Sequence, residues 1–220
     1  MNIGIIGAGK IGGMLARKLT KAGHMVSIAN SRGPESLKYL EWETGAKAVT
    51  VEEAARAGEV VIVTIPMKNV AQLPRNLFDG AARSVVVVDT CNYYPRERDG
   101  RIEEIEKGMP ESRYVEKEIG HPVIKAFNNM QAQHQVDLAR PRGSKDRKAL
   151  PVAGDDDAAK HVVMKLVDEL GFDPVDAGGL DESWRQQPKT PVYTADLDAE
   201  GVKKELEQAE KERKPEFKAA

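Results

Sequence analysis

Gly7-Ala8-Gly9-Lys10-Ile11-Gly12 constrains this chain more than any other stretch. An apolar β-type run, Ile3-Gly4-Ile5-Ile6, precedes it, and a helical pattern follows, with Ile11, Leu15 and Leu19 on one face and a stop near Gly23. Set between a strand and a helix, G-x-G-x-x-G predicts a dinucleotide-binding βαβ unit rather than a glycine-rich turn without a ligand. Gly7 makes the tight turn, Gly9 lets the backbone approach a pyrophosphate, and Gly12 allows close packing of helix on strand. The helix N-terminus, at Lys10 and Ile11, offers free N–H groups and a partial positive charge to that anion.

The rest of the chain alternates short β-rich runs with helical stretches, which predicts an α/β fold. The expected architecture is a doubly wound, mainly parallel sheet of about eight strands with a small C-terminal helical and loop extension. Candidate strands are Asn2–Gly7, Met25–Ala29, Ala46–Val49, Val60–Ile65, Ser84–Asp89, Pro122–Phe127, Leu150–Ala153 and Pro174–Asp176. They are continuous apolar runs, as strands covered by helices on both faces require. A helix starts at Asp155-Asp156-Asp157, whose carboxylates suit its N-terminus, and stops at Gly171. Residues 93–118 suggest only a weak helix, residues 131–147 a polar surface excursion, and residues 178–193 no regular period. A last helix is expected over residues 196–214, with Val202, Leu206 and Ala209 on one side and supporting pairs Glu207/Lys211 and Glu210/Lys214.

The end of the second strand selects the cofactor. An NAD enzyme places an Asp or Glu there for the ribose 2′-hydroxyl. Here the residues are Asn30-Ser31-Arg32-Gly33. Ser31 is able to donate a hydrogen bond to a 2′-phosphate, and the Arg32 guanidinium to grip it as a fork, so NADP(H) is expected over NAD(H). The bland alternative is a polar turn with an exposed arginine.

Ligands of open α/β sheets bind outside the carboxyl ends of the strands. There the fourth strand supplies Thr64-Ile65-Pro66-Met67, the fifth Asp89-Thr90-Cys91-Asn92, and the sixth Lys125-Ala126-Phe127-Asn128-Asn129. Thr64, Ile65, Pro66, Asn92, Lys125 and Asn128 are therefore expected to border the cofactor. Asn128, Trp184 and His134 are the candidates for contact with the reacting groups. The acceptor is expected in an apolar slot walled by Met67, Tyr93 and Trp184. For Trp184 the competing reading is a tryptophan that anchors its loop on the core.

Composition narrows the function classes. With 33 basic and 35 acidic residues the chain carries no electrostatic footprint for nucleic acid or a membrane surface. Its longest apolar runs are far too short to cross a bilayer, and no basic leader precedes the first strand. The single cysteine, Cys91, excludes an intrachain disulfide and fits a reducing, cytoplasmic setting. It is expected to be a packed small side chain rather than a nucleophile. His24, His121, His134 and His161 lack paired ligand spacing, so no metal is expected.

Beyond these readings, the chain resembles the F420-dependent NADP reductase family, which couples NADP(H) to the 8-hydroxy-5-deazaflavin coenzyme F420. The resemblance rests on Gly7/Gly9/Gly12, Asn30-Ser31-Arg32, Lys125-Ala126-Phe127-Asn128, Pro151-Val152-Ala153-Gly154-Asp155 and Gly171-Phe172-Asp173-Pro174-Val175-Asp176-Ala177-Gly178. It implies a Rossmann domain over residues 1–177, with the second substrate, a deazaflavin or flavin-like ring, lying against the nicotinamide. Residues 178–220 then form an acceptor-site lid and a charged tail, and the molecule is a homodimer. One departure is Tyr93-Tyr94, where the family carries a proline after Asn92. Membrane ferric reductases share the nucleotide domain type. Two other readings are an NADPH-binding sensor or partner-binding module, and a β-hydroxyacid dehydrogenase using Lys125 and Asn129 as a polar pair.

Overall fold

In the computed structural model, which describes residues 1–82, 84–211 and 217–219, six strands form one parallel sheet. They are β1 (Asn2–Ile6), β2 (Met25–Ala29), β3 (Lys47–Ala48), β4 (Val60–Val63), β5 (Val86–Asp89) and β6 (Val123–Lys125). Their spatial order is β3-β2-β1-β4-β5-β6, the Rossmann order with its switch point between β1 and β4. Ile6 lies opposite both Ala29 of β2 and Val63 of β4, so the ends of these strands open on one crevice.

Side-chain alternation splits each strand between two apolar layers. Val60, Ile62, Val86 and Val88 join the layer under α1 (Lys10–Lys21) and α7 (Asp157–Glu169), whereas Val61, Val63, Val85 and Val87 face the other side. That second layer is completed from α3 (Val51–Ala55) and α5 (Glu111–Ile119). Three further short helices are α2 (Lys38–Thr44), α4 (Glu103–Glu106) and α6 (Ala132–Asp137).

Both remaining strands are present, but they do not extend the main sheet. β7 (Ala149–Val152) pairs in parallel with β8 (Asp173–Asp176) as a separate two-stranded sheet. Beyond β7 the chain meets β6 at a single antiparallel bridge, Lys125 with Ala153. Gly154 then passes so close to Ile124 that a Cβ there would sit 2.2 Å from the isoleucine side chain. The expected eight-stranded sheet is therefore six strands plus two.

Residues 131–147 are more than a surface excursion. Gln135 on α6 is buried and donates to the carbonyls of Phe127 and Met130. Arg147, also buried, bonds Asp168 and Asp173 at 2.6 and 2.7 Å. Residues 93–118 hold a π-helical turn (Pro95–Asp99), α4 and α5, and residues 178–193 contain a 3₁₀ segment, Leu180–Gln186.

The last helix, α8, is shorter than expected, Ala199–Glu207. Asp198 caps it by accepting from the Gly201 N–H. Its stripe, Val202 and Leu206, packs with Ala149, Val175 and Val192 over the small sheet. Glu207 is its final residue, so Glu207/Lys211 is not a helical pair, and Lys214 of the Glu210/Lys214 pair lies outside the described residues.

Candidate active site

Gly7, Gly9 and Gly12 do different work at the head of the crevice. Gly7 has φ +115°, and a Cβ there would stand 2.2 Å from the Thr64 carbonyl oxygen. At Gly12 a Cβ would meet the Gly7 oxygen at 1.9 Å. The packing of β1, α1 and β4 accounts for both. Gly9 is different: its φ is an ordinary −79°, and a Cβ there would meet nothing within 4 Å. The fold makes no demand for glycine at that exposed position, so the open space beside it is what an approaching ligand would use.

The end of α1 next to Gly9 is likewise unfilled. Gly9 is the N-cap, no side chain caps it, and the first turn carries no acidic residue. The N–H groups of the first turn and the positive end of the helix dipole are thus left for an anion. Lys10 is exposed and Ile11 half-buried beside them.

At the neighbouring end of β2, the Asn30 Oδ1 accepts from the Arg32 N–H at 2.9 Å, and its Nδ2 donates to Ser36 Oγ at 2.9 Å. The Ser36 hydroxyl in turn donates to the Gly33 carbonyl at 2.8 Å, and Gly33 takes φ +83°. This closed turn leaves Ser31 and Arg32 exposed. Asn30 therefore shapes the turn, and Ser31 and Arg32 are the groups free to meet a ligand. Ser36 is a member of the turn that the sequence pattern does not reveal.

Thr64, Ile65 and Pro66 are half-buried along the β4 edge of the crevice. Beyond them the expected site residues divide. Lys125 has no exposed side-chain surface: its Nζ donates to Asp89 Oδ2 at 3.0 Å and to the Cys91 carbonyl. Asp89 also accepts from the Cys91 N–H at 2.7 Å and Ser112 Oγ at 2.8 Å. The expectation that Lys125 contacts the cofactor is corrected: it is an internal tie that holds the loop after β5.

Asn128 is also committed internally, which corrects its expected contact with cofactor or acceptor. Its Nδ2 donates to Asn92 Oδ1 (3.0 Å) and the Gln186 carbonyl (2.8 Å), and its Oδ1 accepts from Gln186 Nε2 (2.9 Å). Asn92 is half-buried; its Nδ2 donates to the Asn128 carbonyl at 3.0 Å and reaches the Tyr193 hydroxyl at 3.5 Å. The β-hydroxyacid polar pair fails for the same reason, because Lys125 is spent on Asp89.

The expected acceptor slot does not assemble. Met67 is fully enclosed in the core, and Tyr93 is 2% exposed, its hydroxyl donating within the molecule to the Gly100 carbonyl and Glu106. Trp184 is half-buried and lines a different cavity, with Met109 and Pro188. A tyrosine pair stands near Asn92 instead. The Tyr94 and Tyr193 hydroxyls are hydrogen-bonded to each other. Burial, then the bond to Tyr94, pushes the Tyr193 hydroxyl above its ordinary range, so it stays protonated.

His134 lies on α6 with its Nδ1 2.6 Å from Asp196 Oδ2, which leaves Nε2 as the other polar edge of a partly exposed ring. The Thr194 N–H, two residues from Asp196, donates to the Asn129 carbonyl at 2.7 Å. Cys91 is buried, and burial followed by the charge on Asp89 pushes its thiol well above the usual range, as expected of a packed side chain. Among the described residues no helix is long and apolar enough to cross a membrane.

Residues 2–93 match the family model described as NADP oxidoreductase, coenzyme F420-dependent. The crystal structure of the hypothetical protein SMa0349 from Sinorhizobium meliloti is 33% identical. It superposes with a TM-score of 0.76 over 90% of this chain and 95% of that one. The protein YjhV of Escherichia coli K12 is 56% identical over 59 residues, 27% of this chain and 43% of its own length. The metalloreductase STEAP3 of Rattus norvegicus is 29% identical over 180 residues, 81% of this chain. The chain spans only 34% of STEAP3, so less than half of either curated relative is represented.

Proposed function

We propose that this chain, residues 2–93 of which match the family of coenzyme F420-dependent NADP oxidoreductases, catalyses hydride exchange between NADP(H) and a small planar acceptor, a deazaflavin such as F420 or a flavin-like ring. The observation that carries this reading is the unfilled space at Gly9 in front of the uncapped end of α1, flanked by the exposed Ser31 and Arg32. Gly9, Lys10, Ile11 and Gly12 would hold a pyrophosphate through backbone N–H groups. Ser31 and Arg32 would take the 2′-phosphate, and Thr64, Ile65 and Pro66 would border the adjoining ribose.

A bound reduced nicotinamide supplies a hydride to an electron-poor ring held in stacked contact. The chain's own task is to fix two rings and exclude water, for which no acid–base dyad is needed. Asn92, Tyr94 and Tyr193 form the edge on the acceptor side. His134, oriented by Asp196, offers Nε2 to the acceptor's polar rim. The segment after residue 177 acts as the lid through Tyr193 rather than Trp184. In this reading the enzyme works in the cytoplasm, where Cys91 stays reduced, and as a homodimer, as the family resemblance implies.

The test is NADPH deuterated stereospecifically at the reactive carbon, incubated with a 5-deazaflavin, whose carbon retains the label. Label in the reduced deazaflavin is expected. Tight NADPH binding with no oxidation by any deazaflavin or flavin would overturn the enzymatic reading and favour an NADPH sensor.

A further inference from the structure

Two residues close together in the chain, Thr194 and Asp196, hold left-handed backbone although neither is glycine, with φ +58° and +51°. Asp tolerates that region, but β-branched Thr avoids it, so residues 193–196 form a strained stretch. Its two ends are fixed. Val192 is buried in the apolar layer over the small sheet, and the Leu197 carbonyl accepts from the Ala149 N–H of β7 at 2.8 Å. Between these anchors Thr194 and Ala195 are exposed, so the stretch is able to lift without opening a core.

Three contacts hold it down. The Tyr193 hydroxyl meets that of Tyr94, the Thr194 N–H donates to the Asn129 carbonyl at 2.7 Å, and Asp196 Oδ2 lies 2.6 Å from His134 Nδ1 on α6. Against them stand the two left-handed residues and two buried oxygens, Asp196 Oδ1 and Asn129 Oδ1, which have no hydrogen-bond partner among the described residues. α6 itself is anchored from behind. Gln135, next to His134, donates to the Phe127 and Met130 carbonyls, and its own carbonyl accepts from Lys18 Nζ of α1 at 2.7 Å. The holding side is thus rigid, and the held side is strained.

We propose that residues 193–196 are a strap latched by His134, which lifts locally to uncover Asn92 and Tyr94 and closes again over the acceptor. What enters beneath it rests on the oxidoreductase reading; the latch does not. Tyr193 leaves Tyr94 when the strap lifts, and Val192 and Leu197 serve as its hinges.

Native-state hydrogen exchange on the full chain tests the latch without any ligand. The reporter is the Thr194 amide, and the amides of the central strand β1 are the global reference. After correction for intrinsic rates, Thr194 should exchange about a hundredfold faster than β1 or more, with a rate that stays flat in low urea. His134→Ala should speed it about tenfold and leave β1 unchanged. Thr194→Gly should slow it about threefold, because glycine takes the left-handed turn without strain, whereas at an unstrained position it loosens the chain. With NADP⁺ bound, saturating 5-deazariboflavin should slow Thr194 exchange by a further factor of about ten.

Thr194 exchange that occurs only with global unfolding would overturn the latch, and that measurement needs no variant. An unchanged rate in His134→Ala, or a faster one in Thr194→Gly, would overturn it too. Deazaflavin that binds, as its absorbance reports, yet leaves the exchange unaltered would overturn closure over the acceptor. A strap that lifts as expected in a chain that binds no deazaflavin or flavin supports the latch and counts against the oxidoreductase reading alone.

Discussion

Lys125 and Asp89 meet at 3.0 Å with neither side chain exposed, at the facing ends of the adjacent parallel strands β6 and β5. The pair is stitched to the loop that follows β5. Asp89 receives the Cys91 N–H, and Lys125 gives a hydrogen bond to the Cys91 carbonyl. An ion pair in this position is expensive to desolvate, and its value lies in fixing one backbone geometry where the crevice ends.

Removing one partner should therefore be felt as stability. Lys125→Met leaves the Asp89 carboxylate buried with only the Cys91 N–H and the Ser112 hydroxyl. The expected loss is about 3–5 kcal/mol, read from urea denaturation. NADPH affinity of the folded fraction should hold, because Lys125 has no surface to offer a ligand. A loss below about 1 kcal/mol, the value of an exposed pair, would show that the pair is hydrated in solution.

Cofactor choice should follow from the β2 turn. Ser31 and Arg32 are exposed while Asn30 and Ser36 hold the turn closed, so Arg32→Ala should leave the fold intact. It should weaken NADPH by roughly 1.5–3 kcal/mol, on the order of ten- to a hundredfold, and barely affect NADH. Titration of both nucleotides against both proteins checks this. Equal NADPH and NADH affinity in the unaltered chain would remove the argument.

Much of this was legible in residue order. The glycine motif, the turn at Asn30-Ser31-Arg32 and β2 at Met25–Ala29 sit where their patterns place them, because each is specified by local backbone chemistry. The misread residues share a different physics. Lys125 ends β6 and Asn128 lies in the loop just beyond it, and composition does not say which of the residues there face in. Their partners, Asp89 and Gln186, stand 36 and 58 positions away. The contact of Tyr94 with Tyr193 spans 99 positions and has no local signal at all. β7 has the apolar pattern of a sheet strand while β8 reads Asp-Pro-Val-Asp, and that the two pair with each other and touch β6 at only one bridge depends on contacts far along the chain.

Cys91 should be inert toward alkylation in the folded protein. Burial and the nearby Asp89 charge disfavour the thiolate, so raising the pH to about 9, where a free thiol ionises, should not unmask it. Its modification rate with iodoacetamide should track unfolding instead, appearing only across the denaturant transition. Fast labelling at native conditions would mean that the loop after β5 opens readily.

The glycines of the first turn offer the sharpest separation of fold from function. A Cβ at Gly12 would stand 1.9 Å from the Gly7 oxygen, so Gly12→Ala must displace backbone and should destabilise the protein by several kcal/mol. Gly9 has an ordinary φ and open space, so Gly9→Ala should fold with stability within about 1 kcal/mol of the parent, the gain from a restricted unfolded state being opposed by alanine's poorer fit to the N-cap of α1. Yet the added methyl group occupies the space through which a pyrophosphate would approach α1. Gly9→Ala should thus lower NADPH affinity by about tenfold or more while its thermal midpoint changes little. Calorimetry and nucleotide titration on the same sample decide it. If the alanine variant binds NADPH as well as the parent does, the nucleotide does not lie against Gly9 and the crevice has been assigned to the wrong ligand.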